Sequence, residues 1–361
     1  MRRLEFNNGE FKIMQIADVQ ELPAISADTQ LLISLALERE KPDLAVFTGD
    51  QLQGYAREFK RGDPLPKVRK LIDAVLEPVV SRDIPFAVTF GNHDRQCRVP
   101  NCAQMELYKA YPQCVWGEPC GAADRGTYSF TLYSGNTGRG VFNIYMIDSN
   151  GLTPHNGYAP VNKRQIQWFR RERERLCCLH GRYLPSFVFQ HIPVPEIFDG
   201  LVRCRRGDKG AVPAFRTHAG QYYRLPRECE ARGEFMLESP GPPDENCGEF
   251  DALCEKGDIK GLFFGHDHSN SFTTTVRGVM LGYTQGAGFN VYGPHTNRGV
   301  RVFKLHEASP ESFETYTLTY RQLTDKLPEA RLYELINANM PYALVKRAYS
   351  RLMNHSGLFP M

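Results

Sequence analysis

The sequence predicts an α/β fold built on a sheet that contains parallel strands. Three observations predict it. Short apolar runs alternate with segments of helical period, each run stops at a Gly or Asp, and the runs are strand-length rather than membrane-length. With 361 residues, 42% hydrophobic and 24% charged, the composition is that of a folded protein and excludes a disordered one.

Taken in order, residues 11–16 read as a strand and 29–40 as a helix. Residues 44–47 form a strand, and 68–80 a helix with Leu71, Ile72, Val75 and Leu76 on one face. Residues 86–89 are again a strand, completing a βαβαβ rhythm that implies parallel pairing with covering helices. Strands follow at 141–147 and 186–189, separated by a helix around 165–176. The segment 196–256 is rich in Gly, Pro, Arg and Glu and weakly periodic, so it reads as a surface insertion. Strands resume at 261–264, 272–276, 279–283, 300–305 and 316–320. Two helical patterns lie within 327–353. The expected organisation is one main domain over 1–325, carrying the insertion, and a helical tail over 326–361 packed on it.

The formal net charge is only +3, from 44 basic and 41 acidic side chains, which excludes the basic excess of a dedicated nucleic-acid binder. Met1-Arg2-Arg3-Leu4-Glu5-Phe6 lacks the apolar core of a signal peptide. A cytoplasmic location, no membrane span and reduced thiols are therefore expected, the ten cysteines included. The spacing of Cys97, Cys102, Cys114 and Cys120 fits no common zinc pattern.

Five signatures appear in order: Asp18-Val19-Gln20, Gly49-Asp50, Gly91-Asn92-His93-Asp94, Gln190-His191 and Gly265-His266-Asp267-His268. Each follows a predicted strand, and loops beyond strand carboxyl ends converge on one crevice in α/β sheets. Carboxylate, amide oxygen and imidazole are the donors of a metal site. The spacing of two in Asp18/Gln20 and His266/His268 puts both side chains on one face of an extended segment.

The set resembles the calcineurin-like metallophosphoesterase superfamily, whose pattern is DxH, GD, GNH[D/E], H and GHxH. Asp148-Ser149-Asn150 and Gln165-Ile166-Gln167-Trp168-Phe169 add a likeness to its purple-acid-phosphatase-related, Dcr2-like branch. The resemblance implies a four-layer α/β/β/α sandwich with two mixed β-sheets. It implies two divalent metals bridged by Asp50, one held by Asp18, Gln20 and His268, the other by Asn92, His191 and His266. It gives His93 the leaving oxygen, with Asp94 orienting its imidazole. It further implies hydrolysis of a phosphate ester by a bridging hydroxide, with metals about 3.5–4 Å apart.

Gln20 stands where the family has histidine. This makes the first site oxygen-rich and favours Mn²⁺ or Fe over Zn²⁺, with Mg²⁺ another alternative; Gln20 is either a direct ligand or a partner of a metal-bound water. Gln53 replaces the tyrosine of purple enzymes, which argues against a charge-transfer centre. A phosphomonoester on a small molecule or phosphoprotein is the expected substrate. A phosphodiester is the alternative, and a non-catalytic metal-binding scaffold a third reading that an intact His93 disfavours.

Other features have ordinary readings beside the functional ones. Asp267 is expected to be a turn residue and Cys97 a bystander thiol. The insertion's arginines, Arg216 among them, form either an anion grip or a solvated loop. His155 and Tyr158 lie in a loop that either borders the site or simply covers the surface.

Overall fold

The computed structural model describes residues 3–117, 119–121, 124–154 and 157–329. His155 and the helical patterns expected beyond residue 329 lie outside the described residues.

Two mixed sheets form the centre. The first has eight strands in the order Leu4–Glu5, Tyr128–Tyr133, Gly140–Met146, Ser186–Phe189, Ile259–Phe264, Val279–Tyr283, Asn270–Val276 and Phe235–Met236. The second has five, in the order Phe313–Thr319, Gly299–His306, Glu10–Ile16, Leu44–Thr48 and Phe86–Thr89. Glu10–Ile16, Leu44–Thr48 and Phe86–Thr89 run parallel, as do Gly140–Met146, Ser186–Phe189, Ile259–Phe264 and Val279–Tyr283.

The period of two along each strand decides which layer a side chain joins. Phe187, Phe189 and Phe263 point between the sheets, where they meet Phe303 from the second sheet. Their neighbours Val188, Leu262 and Phe264 point outward into a second core shared with Trp168, Phe169 and Leu176 of the helix Lys163–His180. Helices Ala27–Glu40 and Leu65–Val80 cover the other side, burying Leu32, Ile33, Leu37, Leu71, Ile72 and Val75. Each such side chain contributes about 1.5–3 kcal/mol of burial. Asn162 and Gln165 form a capping box that starts Lys163–His180.

Several boundaries differ from expectation. Helix Asn101–Lys109 and strand Tyr128–Tyr133 were not anticipated. The last strand is Phe313–Thr319, and Tyr320 instead opens a short helix, Tyr320–Leu323, capped by Thr319. The insertion is more ordered than its composition suggests. It holds a three-stranded antiparallel sheet of Val202–Cys204, Tyr222–Arg224 and Val212–Pro213. It also gives Phe235–Met236 to the edge of the main sheet and buries Glu238. Among the described residues no helix is long and apolar enough to cross a membrane, and all ten cysteines are free thiols.

Candidate metal centre

All five signatures lie at carboxyl ends of parallel strands, three from one sheet and two from the other. Beneath them Gln15 ties the sheets together. Its Nε2 donates to Thr48 Oγ1 at 3.1 Å and Phe264 O at 3.3 Å, and its Oε1 accepts from Thr284 Oγ1 at 2.7 Å.

The chain leaves these strands abruptly. Asp18, Gln20, Asp50 and His266 have φ of 50°, 35°, 52° and 76°, a left-handed conformation that costs a non-glycine residue about 1–3 kcal/mol. Asp18 and Gln20 therefore share a side through a turn, not through the extended segment their spacing suggested. Two glycines permit the close approach. A Cβ on Gly91 would lie 2.2 Å from Asp50 Oδ1, and one on Gly265 2.4 Å from Asp18 Oδ2.

Asp18, Asp50 and His191 are buried and offer ligand atoms that all lie within 4.8 Å of one another. Asp18 Oδ2 accepts the His266 backbone N–H at 2.9 Å, while among the described residues Oδ1 has no hydrogen-bond donor. Asp50 Oδ1 accepts the His93 backbone N–H at 2.7 Å. Asp50 Oδ2 faces Gln20 Nε2 at 2.8 Å and His191 Nε2 at 3.2 Å. Gln20 thus spends its amide nitrogen on Asp50, and its buried Oε1 has no donor. Asn92 Oδ1 is likewise buried without one.

The imidazoles have defined faces. His191 Nδ1 lies 2.9 Å from Thr48 O, and His268 Nδ1 lies 2.9 Å from Tyr292 O. A carbonyl only accepts, so each Nδ1 carries the proton and each Nε2 is left for the centre. His268 Nε2 is 3.3 Å from Asp18 Oδ1, and His266 Nδ1 is 3.3 Å from His191 Nε2. Burial opposes charge on His191, but Asp50 and Asp18 outweigh it and push its pKa up to about 10. His268 is raised in the same way, against burial, by Asp18. Burial would lift Asp50, yet His191 and His93 hold it below the usual carboxylate range. Without an ion the carboxylates draw a second proton onto these rings, and a cation bound between them would take that proton's place.

His93 sits at the rim, its Nε2 4.0 Å from Asp50 Oδ2 and its ring against Tyr55. Burial lowers its pKa, with Asp50 acting in opposition. The expectation that Asp94 orients this ring is not met. Asp94 Oδ2 accepts from the backbone N–H groups of Asp50 and Gly91, both at 2.8 Å, and Oδ1 from Leu52 N–H at 3.1 Å. Its carboxyl clamps two site loops. The partner of His93 Nδ1 is Gln96 Oε1, at 2.7 Å.

Asp267 also does more than close a turn: its Oδ2 accepts from Gly241 N–H at 2.8 Å and Tyr283 Oη at 2.6 Å. The insertion is thereby fastened to the centre. Its Glu238 accepts the Ser269 N–H at 2.9 Å. Tyr158 borders the site, edge-on to His266 at 4.3 Å between centroids, and Arg216 of the insertion lies over the Tyr158 ring while pairing with Asp244. Tyr292 stacks on His268 at 4.2 Å, in a loop whose Val291 and Tyr292 carbonyls are gripped by buried Arg298. Cys97 is buried and its thiol is pushed up to about 11 by that burial, which makes it unreactive.

A cleft of about 660 Å³ opens beside Asn92. Arg95, Gln96, Asn150, Leu152 and Lys163 line it. Arg95 is steadied by Asp148 at 2.7 Å.

The sequence profile of the calcineurin-like phosphoesterases matches residues 11–270, the span that contains every signature. The chain belongs to the calcineurin-like phosphoesterase family. Among its curated relatives is Probable inactive purple acid phosphatase 14 of Arabidopsis thaliana, 27% identical over 81% of this chain and 74% of that protein. Phosphatase DCR2 of Saccharomyces cerevisiae is 26% identical over 84% of this chain and 53% of its own length. Among solved structures, a dimetal phosphatase from Danio rerio superposes with a TM-score of 0.52 at 14% identity, over 86% of this chain and 99% of that one. That likeness shows the shared fold. As a calcineurin-like phosphoesterase, the chain is a metal-dependent phosphoester hydrolase.

Proposed function

We propose that this phosphoesterase hydrolyses phosphomonoesters at a two-metal centre formed by Asp18, Gln20, Asp50, Asn92, His191, His266 and His268, with His93 handling the leaving-group proton. The observation that carries this reading is the convergence of buried acceptors that lack donors: Asp18 Oδ1, Gln20 Oε1 and Asn92 Oδ1. Beside them lie two imidazoles whose Nδ1 atoms are committed to carbonyls. A buried polar atom left unpaired costs about 1–3 kcal/mol, and cations with oxygen and nitrogen coordination remove that cost at every one of these atoms. The fixed imidazole tautomers are those of metal-ligating histidines.

Two divalent ions bound there supply an activated water and a positive clamp for the phosphate. The oxygen-rich surroundings of Asp18 and Gln20 favour Mn²⁺ or Fe. The chain's own residues supply the rest. Asp94 and the glycine turns keep Asp50 and the Asn92-His93 loop in register. Protonated His93 presents Nε2–H to the leaving oxygen while Gln96 holds Nδ1–H. The cleft beside Asn92 receives the leaving group, and Arg95 and Lys163 give it positive charge suited to a phosphorylated small molecule or a phosphoprotein loop.

The Arabidopsis relative carries the word inactive in its name. For this chain, turnover is supported by a rim histidine whose orientation is fixed. The test is hydrolysis by chelator-stripped protein reloaded with Mn²⁺, Fe²⁺, Mg²⁺ or Zn²⁺, offering p-nitrophenyl phosphate and bis-p-nitrophenyl phosphate. Metal-restored activity that prefers the monoester supports the proposal. Preference for the diester makes this a phosphodiesterase, and bound metals without turnover would make it a scaffold.

A further inference from the structure

A second cavity, of about 700 Å³, lies between the two sheets at their open edge, and none of the five signatures lines it. The aromatic interior around Phe263, Phe303 and Phe313 gives way there to hydroxyls: Thr273 and Thr275 from one sheet, Thr315, Thr317 and Thr319 from the other. Residues 313, 315, 317 and 319 alternate along one strand, so they share the inward face. Arg301 pairs with Thr317 across the strands and lies on the same inward side as Phe303.

Arg301 is the anomaly. It is among the largest fully buried side chains of the protein. One Nη donates to Thr315 Oγ1 at 3.3 Å and the other to Tyr283 O at 3.0 Å. Among the described residues its Nε has no hydrogen-bond partner and no carboxylate forms an ion pair with it. Glu234, the acid nearest in chemistry, is already engaged by Arg232 at 2.7 Å and by Thr273. A buried guanidinium is ordinarily paired, because desolvating an uncompensated charge is costly. Burial accordingly pulls the Arg301 pKa down to about 10, against the attraction of Glu234. Arg232 and Arg321 also line the cavity. Glu228 and Glu234 line it as well, Glu234 being neutralised by Arg232, so the wall around Arg301 combines guanidinium and hydroxyl donors with carboxylates at its outer side.

We propose that this inter-sheet cavity is a binding site for a compact oxyanion, a phosphate group above all, held by Arg301 with the threonine hydroxyls around it. Planar guanidinium and hydroxyl donors match the tetrahedral array of acceptors on a phosphoryl group. The group is either free inorganic phosphate or the phosphoryl head of a larger molecule.

The experiment uses the metal-loaded full chain. Binding of inorganic phosphate and of a non-hydrolysable alkylphosphonate is measured by equilibrium dialysis for wild type, Arg301→Met and Thr317→Val. Crystals soaked in selenate are examined for anomalous scattering near Arg301. A site in addition to the catalytic centre is expected in wild type, weakened at least tenfold by Arg301→Met and measurably by Thr317→Val, with hydrolysis unchanged. Thr317→Val keeps the test open where Arg301→Met does not fold. Binding of phosphate alone identifies the free ion, and binding of both identifies a phosphoryl head. A single phosphate site in wild type, or equal affinity in wild type and Thr317→Val with no selenate peak beside Arg301, overturns the proposal.

Discussion

Replacing Gln96 offers a way to separate the chemistry of His93 from the integrity of the centre. Gln96 lies three residues after His93 in the 3₁₀ turn Asp94–Cys97, and its Oε1 sits 2.7 Å from His93 Nδ1. Gln96→Leu removes that acceptor. Losing one such bond costs about 1–1.5 kcal/mol, roughly a tenfold fall in kcat where the proton transfer limits the rate. Gln96→Glu instead places a carboxylate against Nδ1, and an opposite charge at that range raises an imidazole pKa by about 1–2 units. The sign follows from the role. His93 gives up a proton, so the rate falls as pH rises through its pKa, which burial holds below the ordinary histidine value. Gln96→Glu should move that alkaline limb to higher pH, and Gln96→Leu should move it lower.

The assay is a kcat profile against pH with saturating metal, on an alkyl phosphate whose alkoxide needs the proton and on p-nitrophenyl phosphate, whose phenolate does not. The effect should be large on the first and small on the second, with metal content unchanged. Superimposable profiles for wild type and Gln96→Glu on the alkyl ester would refute the assignment of His93 as the acid.

Asp94→Asn should destabilise the fold without touching the His93 ring, because an amide cannot accept all three N–H groups that Asp94 holds. A loss of about 2 kcal/mol is expected, read as a drop in denaturant midpoint at constant slope. Gly91→Ala should abolish metal binding while the protein stays folded, since its Cβ would meet the Asp50 carboxylate; normal metal content by elemental analysis would contradict this. Glu249 supplies a pH-dependent term. Burial, with Glu196 adding to it, raises its pKa to about 8. A carboxyl raised in the folded state stabilises it below the unfolded pKa, and that contribution is lost as pH climbs toward 8. Glu249→Gln should therefore stabilise the protein by about 1–2 kcal/mol at pH 8, less than the full shift implies because the residue is partly exposed. It should do little at pH 4.5, as thermal melts across that range would show.

The sequence was most legible where physics acts locally. Strands Phe86–Thr89, Ser186–Phe189 and Val279–Tyr283 fall where their apolar runs predict. The strand Tyr128–Tyr133 carried a period-two signal, Tyr128, Phe130 and Leu132 being buried, that was open to being read. The insertion's strands are two or three residues long, below the reach of any periodicity.

At the site, residue types and spacing brought the candidate ligands to one crevice but misjudged their backbone. Left-handed turns at Asp18, Gln20, Asp50 and His266 follow from tertiary closure and leave no trace in spacing. Glu238 and Tyr292 support the site from distant segments, and Gln15 does so through partners on distant strands, so their roles appear only once the sheets are packed. Gln96 was closer to reach. The offset of three from His93 is the contact distance of a 3₁₀ turn, whereas the neighbouring carboxylate of Asp94 drew the assignment away.

The most direct test of the two-metal account is elemental analysis combined with hydrolysis of a phosphomonoester in the same samples, for wild type and Asp50→Asn. The account predicts two divalent ions per chain and chelator-sensitive turnover in wild type. Asp50→Asn should lose at least one of those ions, and its rate should fall roughly a thousandfold or more, the scale of removing a central electrostatic group. Turnover in Asp50→Asn close to that of wild type, or hydrolysis by a chelated wild-type chain, would contradict it.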